Sequence, residues 1–120
     1  MGLERPKNGG FDGGFDIEYK KKKWDIKCVQ RKVDPKKYYA NNVPEVQIKY
    51  SNDGYVFLSY NLKTGIYTIC GWISKEDFLK KATLYKKGDL RPRDDGTFMK
   101  THASYYEITN NKLNNFLTFK

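Results

Sequence analysis

The chain has 120 residues, a length that predicts one domain with a single core and is too short for two. Only 38% of the residues are hydrophobic but 16% are aromatic, so large rings must supply much of the core, and the patterned runs in which they occur exclude a disordered chain. The net charge of +9 predicts an anionic partner, and the lack of a membrane-spanning apolar run or a signal peptide predicts a cytoplasmic protein.

The first predicted elements form a β-hairpin. Residues 1–14 are polar and rich in glycine, so we expect them to be irregular. Apolar and polar residues alternate in 15–19 and again in 24–29, and the lysines between these runs suit a turn. The pattern therefore predicts two adjacent antiparallel strands.

A loop and an ambiguous segment follow the hairpin. Asp34-Pro35 breaks the alternation and opens a loop that we expect to run through Asn41-Asn42. Residues 43–50 fit either a strand or a short helix, and Pro44 suits the first helical position.

Two strands and a helix are predicted next. Residues 55–60 and 66–73 are apolar nearly throughout, which is typical of central strands covered on both faces. Ser74 is an N-cap residue with Asp77 three positions later, so it predicts a helix over residues 74–85. The apolar stripe of this helix consists of Phe78, Leu79, Ala82 and Tyr85.

The last third of the chain predicts a long loop over residues 86–101, a strand over 105–109 and a tail over 112–119. Together these elements predict one α/β domain over residues 1–120. We expect a central mixed sheet of about five strands with the helix packed on one face.

The hairpin places charged side chains on a shared face. Side chains alternate across a strand, so a turn centred on Lys21-Lys22 would put Asp16 opposite Lys27 and Glu18 opposite Asp25. Adjacent carboxylates repel, and a divalent cation removes that repulsion. Asp16 and Asp25 are diagonal neighbours with Cβ atoms roughly 6–8 Å apart, which suits one Mg²⁺ between their oxygens.

Asp16 followed by Asp25-Ile26-Lys27 on the return strand resembles the core motif of the PD-(D/E)XK nuclease superfamily. The resemblance covers about fifteen residues strictly and extends loosely over the rest of the chain. It implies a restriction-endonuclease-like fold and assigns Asp16 and Asp25 as ligands of Mg²⁺ or Mn²⁺, with the Ile26 carbonyl as a third ligand. Lys27 becomes the catalytic lysine.

Further features bear on the resemblance. Some members carry a glutamine that contacts the site, and Gln47 is the candidate here. Family members usually have a helix before the first aspartate; here only Gly-rich residues 1–14 precede Phe15, so we expect that helix to be reduced or missing. Phe15 stands where the family motif has proline.

Basic residues near the predicted site could contact the phosphates of a nucleic acid. The segment from Lys20 to Lys37 holds nine Lys and Arg residues against two Asp, and Arg91 and Arg93 flank Pro92 in the long loop. A lysine-rich composition without functional meaning is the alternative. The candidate phosphate contacts are Lys20, Lys21, Lys22, Lys23, Arg31, Lys32, Arg91 and Arg93.

The histidine and cysteine content argues against other kinds of site. His102 is the only histidine, which excludes His-based triads and multi-histidine metal sites. Cys28 and Cys70 have no companions at zinc-ligand spacing, so we expect buried, reduced thiols.

The leading functional prediction is a Mg²⁺-dependent DNA endonuclease, encoded by a virus or another mobile element. A domain this small would need a second copy to embrace a duplex, which suggests a homodimer. The alternatives are a catalytically reduced protein that binds nucleic acid or inhibits a host protein, an accessory subunit, and an ordinary charged hairpin facing solvent. The sequence leaves open whether the substrate is duplex, branched or single-stranded DNA, or RNA.

Overall fold

The computed structural model describes residues 17–93 and 95–119. The strands are β1 (Ile17–Tyr19), β2 (Lys22–Arg31), β3 (Ala40–Pro44), β4 (Gly54–Asn61), β5 (Tyr67–Ser74), β6 (Thr83–Tyr85), β7 (Leu90–Pro92), β8 (Phe98–Lys100) and β9 (Tyr105–Thr109). The α-helix is α1 (Lys75–Lys81), and short 3-10 helices occupy Glu45–Gln47, Asn110–Lys112 and Phe116–Thr118.

The described strands form two larger sheets and a separate hairpin. The four-stranded sheet has the order β1-β2-β4-β5, the three-stranded sheet has the order β3-β9-β6, and β7 pairs with β8. Only β2 and β4 run parallel among these described pairs. The protein is therefore mostly β, with one short helix in the described ranges. The expected central mixed sheet is present with four strands, and the expectation did not include the second, antiparallel sheet of three strands. No helix in these ranges is long and apolar enough to cross a membrane.

The β1–β2 hairpin confirms the predicted pairing but corrects its register. Lys20 and Lys21 form the turn, both with positive φ (51° and 64°), as a tight two-residue hairpin turn requires. Glu18 consequently lies opposite Lys23 and not opposite Asp25. The turn sits one residue earlier than expected, so the residues that face each other change while the alternation of faces is kept.

The main core joins the two larger sheets and α1. Its fully buried side chains include Tyr55 and Phe57 of β4, Ile73 of β5 and Phe78 of α1. They pack with Val43 of β3 and Ile108 of β9, which attaches the three-stranded sheet.

A second cluster covers the opposite face of the four-stranded sheet. Ile17, Trp24 and Val56 are buried there, and Trp72 and Phe119 pack against them. Both faces of β4 are thus covered, as its nearly continuous apolar sequence predicted. The same prediction is wrong for β5, which lies at the edge of this sheet and has Tyr67 and Ile69 exposed.

The helix begins as predicted and ends early. The Ser74 hydroxyl accepts a hydrogen bond from the Asp77 N–H at 3.2 Å, so the predicted N-cap is confirmed. Ala82 is extended (ψ 152°), which ends the helix at Lys81 and sends Tyr85 into β6. Of the expected apolar stripe, Phe78 is buried while Leu79 is exposed.

Three further expectations need correction. Asn41 and Asn42 belong to β3 and not to a loop, because β3 pairs with the distant β9. The predicted long loop over residues 86–101 contains the β7–β8 hairpin. Cys28 is exposed and Cys70 is half-buried, so neither is the buried thiol that was expected.

The chain closes by laying its tail against β5. The Trp72 N–H donates to the Asn114 carbonyl at 3.0 Å, and the Asn114 N–H donates to the Trp72 carbonyl at 2.8 Å. Gly71 permits this approach, since a Cβ atom there would lie 2.5 Å from the Asn114 oxygen and its φ is +152°.

Candidate functional site

Asp25 and Lys27 lie on the same face of β2, inside the four-stranded sheet. The parallel pairing with β4 places Asp25 beside Tyr55 and Lys27 beside Phe57, both of the main core. Within the hairpin, apolar and polar residues occupy opposite faces as expected, since Ile17, Trp24 and Ile26 belong to the cluster on the other face. Core residues of β4 share the face of Asp25, however. Asp25 is accordingly only 8% exposed.

Lys27 contacts both Asp25 on its own strand and Gln47, which lies 20 residues later in the chain. Its Nζ lies 3.1 Å from Oδ2 of Asp25 and also donates a hydrogen bond to Oε1 of Gln47. Gln47 is the last residue of the 3-10 helix Glu45–Gln47, which begins directly after β3. Three of the predicted site residues therefore meet, and their catalytic roles stay predictions.

The Ile26 carbonyl faces the β1 side of the strand. The carbonyls of Lys23 and Arg31 accept hydrogen bonds at 2.7 and 2.8 Å from the N–H groups of Asp53 and Leu62, at the two ends of β4. Carbonyls alternate between the two edges of a strand, so Ile26 points the opposite way, towards the side of β1. Asp16, the predicted first metal ligand, lies outside the described residues.

A second lysine, which the sequence motif did not indicate, approaches the site. Nζ of Lys75 donates to the Tyr50 carbonyl at 2.7 Å and to Oδ1 of Asn52 at 3.2 Å. Burial lowers the pKa of Lys75, while the negative charges of Asp25 and Asp53 act in the opposite direction. Its only signal in the sequence is its position after the Ser74 N-cap, at the end of β5 that pairs with the start of β4.

Tyr55 forms the floor beside Asp25. Burial raises the pKa of its hydroxyl to about 12; the Asn52 side chain lowers it less, and Asp25 raises it further. The Asn52 side chain is near enough to lower the pKa of this hydroxyl. The hydroxyl itself is buried and makes no hydrogen bond within the described residues. The surroundings of Asp25 are therefore water-poor on the core side.

The donor chemistry fits a hard divalent cation in part. Asp25 supplies a largely buried carboxylate of the type that Mg²⁺ prefers. Within residues 17–93 and 95–119, no group of three or more His, Cys, Asp or Glu side chains could hold a metal ion. The predicted metal site thus depends on Asp16 as the second carboxylate.

The predicted phosphate contacts fall into two groups. Lys20, Lys21 and Lys22 at the hairpin tip and Lys32 and Arg93 elsewhere are exposed, whereas Lys23 is half-buried. The guanidinium groups of the other two arginines already have partners. Arg31 donates to the Ala40 carbonyl at 2.9 Å, and Arg91 makes a two-pronged ion pair with Glu107 at 2.5 and 2.9 Å.

The comparisons with known proteins give no relatives. The chain matches no protein-family model, no curated protein and no solved structure. The case for function therefore depends on the residues of the site.

Proposed function

We propose that this protein is a metal-dependent endonuclease of the PD-(D/E)XK type that hydrolyses phosphodiester bonds of DNA. The observation that carries the proposal is the meeting of Asp25, Lys27 and Gln47. The largely buried Asp25 carboxylate lies 3.1 Å from the Lys27 ammonium, and Gln47 accepts a hydrogen bond from that same ammonium. In a hairpin that simply exposes charged residues to solvent, this ion pair would be exposed and would not contact a glutamine of another element.

Each residue has a distinct role in this proposal. Asp16 and Asp25 would hold Mg²⁺ or Mn²⁺ with the Ile26 carbonyl. When bound, the ion supplies charge stabilisation at the phosphate and an activated water. Lys27 donates to a phosphate oxygen, where negative charge develops during attack. Gln47 is a positioning residue, because it acts by fixing the Lys27 ammonium.

The proposal is tested by incubating supercoiled plasmid and single-stranded DNA with the protein in Mg²⁺, Mn²⁺ or EDTA. Cleavage should require the metal and fall on the order of a hundredfold or more in Asp25→Ala and in Lys27→Ala. The exposed Lys80–Glu76 ion pair, with its charged atoms 3.2 Å apart, offers a matched control. Lys80→Ala and Glu76→Ala should cleave like the wild type.

Metal titration by calorimetry adds a readout that does not need turnover. Asp25→Ala should weaken Mn²⁺ binding, while Glu76→Ala should leave it unchanged. Cleavage that survives in both site variants would sink the proposal.

The exposed lysines of the hairpin tip support a second candidate, a protein that binds nucleic acid without cutting it. DNA binding that persists in the absence of any metal binding or cleavage would favour this candidate.

A further inference from the structure

A cavity continues the face of β2 on which Asp25 and Lys27 lie. Val29 and Arg31 follow on the same face, and a strand rise of about 3.3 Å per residue puts Arg31 about 13 Å beyond Lys27. These two residues line a cavity of about 430 Å³, called here the Arg31 cavity. Its wall is completed by aromatic and polar side chains, among them Tyr38, Tyr39, Arg91 and Tyr105.

Arg31 presents a fixed planar group in this cavity. Its guanidinium carbon lies 4.6 Å from the centre of the Tyr39 ring, and its Nη2 donates to the Ala40 carbonyl at 2.9 Å. Its Nε is buried and has no hydrogen-bond partner among the described residues. A buried donor without an acceptor costs free energy, so the polar groups on this side of the cavity are incompletely satisfied.

Tyr105 adds a second polar group of the same kind. Its hydroxyl is buried without a partner in the part of the chain that the structure describes. Five side-chain atoms of the described residues are buried in this way, and two of them belong to residues that line the Arg31 cavity. The ion pair of Arg91 with Glu107 links β7 to β9 on one side of the cavity, while Tyr38 and Tyr39 line it from the loop between β2 and β3.

The mouth of the cavity carries an exposed ring. Tyr38 is 55% exposed, and its ring meets that of Tyr39 edge-on with 5.1 Å between their centres. Exposed aromatic rings next to a cationic group are the usual stacking platform for unpaired bases. The cavity volume of about 430 Å³ falls within the range of small-molecule sites.

We propose that the Arg31 cavity binds an unpaired base, so that the substrate is single-stranded DNA running along β2 from this cavity to Asp25 and Lys27. The inference deepens the proposed nuclease function and rests on it for the path of the strand towards the reacting phosphate. A base inside a duplex would first have to leave its stack, which costs free energy, and so the cavity discriminates against paired DNA.

Fluorescence anisotropy in EDTA tests the cavity without any cleavage. The probes are a labelled strand of about 12 nucleotides and the duplex of the same sequence. Tyr38→Leu should weaken binding of the single strand about fivefold or more, because it removes a stacking ring, and should leave duplex affinity unchanged. Tyr67→Leu is the matched control, since Tyr67 is 62% exposed and also contacts a second tyrosine, but it lies on β5 outside the cavity.

A second variant tests whether the cavity itself, and not only the Tyr38 ring, is needed for binding. Asn42 is exposed and lines the same cavity, so Asn42→Trp should fill its mouth and abolish the preference for single strands. Equal losses in Tyr38→Leu and Tyr67→Leu, or an unchanged preference in Asn42→Trp, would overturn the assignment.

The outcomes separate this inference from the proposed nuclease. Failure of cleavage in Mg²⁺ with the Tyr38 effect intact would refute the nuclease and leave the base-binding cavity. Cleavage that depends on Asp25 but shows no preference for single strands would refute the cavity and leave the nuclease.

Discussion

Tyr55 links the stability of the core to pH at the scale of a single residue. Burial raises the pKa of its hydroxyl from 10.0 to about 12. Below pH 10 the hydroxyl is neutral in the folded and the unfolded chain, so its contribution to stability is fully present. As the pH rises towards 12 the unfolded chain ionises first, and the contribution is lost.

Tyr55→Phe should remove this loss. At neutral pH we expect its free energy of unfolding to stay within about 1 kcal/mol of the wild type, because the hydroxyl that it removes has no hydrogen-bond partner among the described residues. Between pH 10 and 12 the wild type should lose up to about 3 kcal/mol more than the variant. Urea denaturation at several pH values measures both, with exposed Tyr67→Phe as the control; equal pH slopes in all three proteins would contradict the prediction.

Lys27 should matter for stability as well as for the proposed chemistry. Lys27→Met removes the ammonium 3.1 Å from the largely buried Asp25 carboxylate and keeps most of the side-chain volume. We expect a loss of about 1–3 kcal/mol in the free energy of unfolding, since a buried carboxylate loses its cation.

The control for Lys27→Met is Lys80→Met. In the Lys80–Glu76 pair the side chains are 67% and 80% exposed, so its loss should change stability by less than about 0.5 kcal/mol. Chemical denaturation of the two variants side by side provides the measurement. Equal, small changes would mean that the Asp25–Lys27 pair is solvated like a surface pair.

At the scale of elements, the β1–β2 hairpin is held by an unfavourable turn. Lys20 and Lys21 both have positive φ, a conformation in which a residue with a Cβ costs about 1–2 kcal/mol and glycine does not. Asparagine followed by glycine is the preferred pair for such a turn. The double substitution Lys20→Asn with Lys21→Gly should therefore raise the free energy of unfolding by about 1 kcal/mol.

Urea denaturation checks the hairpin prediction, and a charge-matched variant controls it. Lys36→Asn with Lys37→Gly removes the same two charges at residues without positive φ, and it should not stabilise the protein. If both double variants gained stability equally, charge repulsion and not turn geometry would be the cause.

The elements that the sequence predicts are those that local patterns determine. Alternation indicated the β1–β2 hairpin, and the Ser74 side chain indicated the start of α1. β3 escaped prediction because its Asn41 is stabilised by partners far along the chain, with its Nδ2 donating to the carbonyl of Ile108 and to the side chain of Asn110. The early end of α1 has the same origin, since β6 pairs with β9.

In the candidate site, too, local patterns predicted some features and tertiary packing determines the others. Asp25 and Lys27 were predicted to share a face because side chains on a strand have a period of two. The contact of Lys27 with Gln47 and the approach of Lys75 depend on tertiary packing, which no spacing in the sequence encodes. Gln47 was named only through the family resemblance.

At the scale of the whole molecule, the net charge of +9 should make DNA binding strongly dependent on salt. Replacing Lys20, Lys21 and Lys22 by glutamine should reduce the slope of log K against log salt for single-stranded DNA by about two, because each phosphate contact contributes about 0.7. Anisotropy titrations over a range of NaCl concentrations measure the slope.

A variant of equal charge shows whether position matters. Replacing exposed Lys63, Lys80 and Lys81 by glutamine lowers the net charge by the same amount away from the hairpin tip. Its slope should stay near that of the wild type. Equal slopes in the two triple variants would mean that the hairpin tip makes no phosphate contacts of its own.

The tail that lies against β5 has a consequence for how copies of the chain behave towards one another. A strand at the rim of a sheet presents unpaired N–H and carbonyl groups that can recruit a strand from another molecule. The two hydrogen bonds between Trp72 and Asn114 occupy part of that rim. A protein shortened to end at Thr109 would expose this edge of β5, and we expect it to self-associate through β5. The segment after Thr109 therefore protects the sheet edge against aggregation.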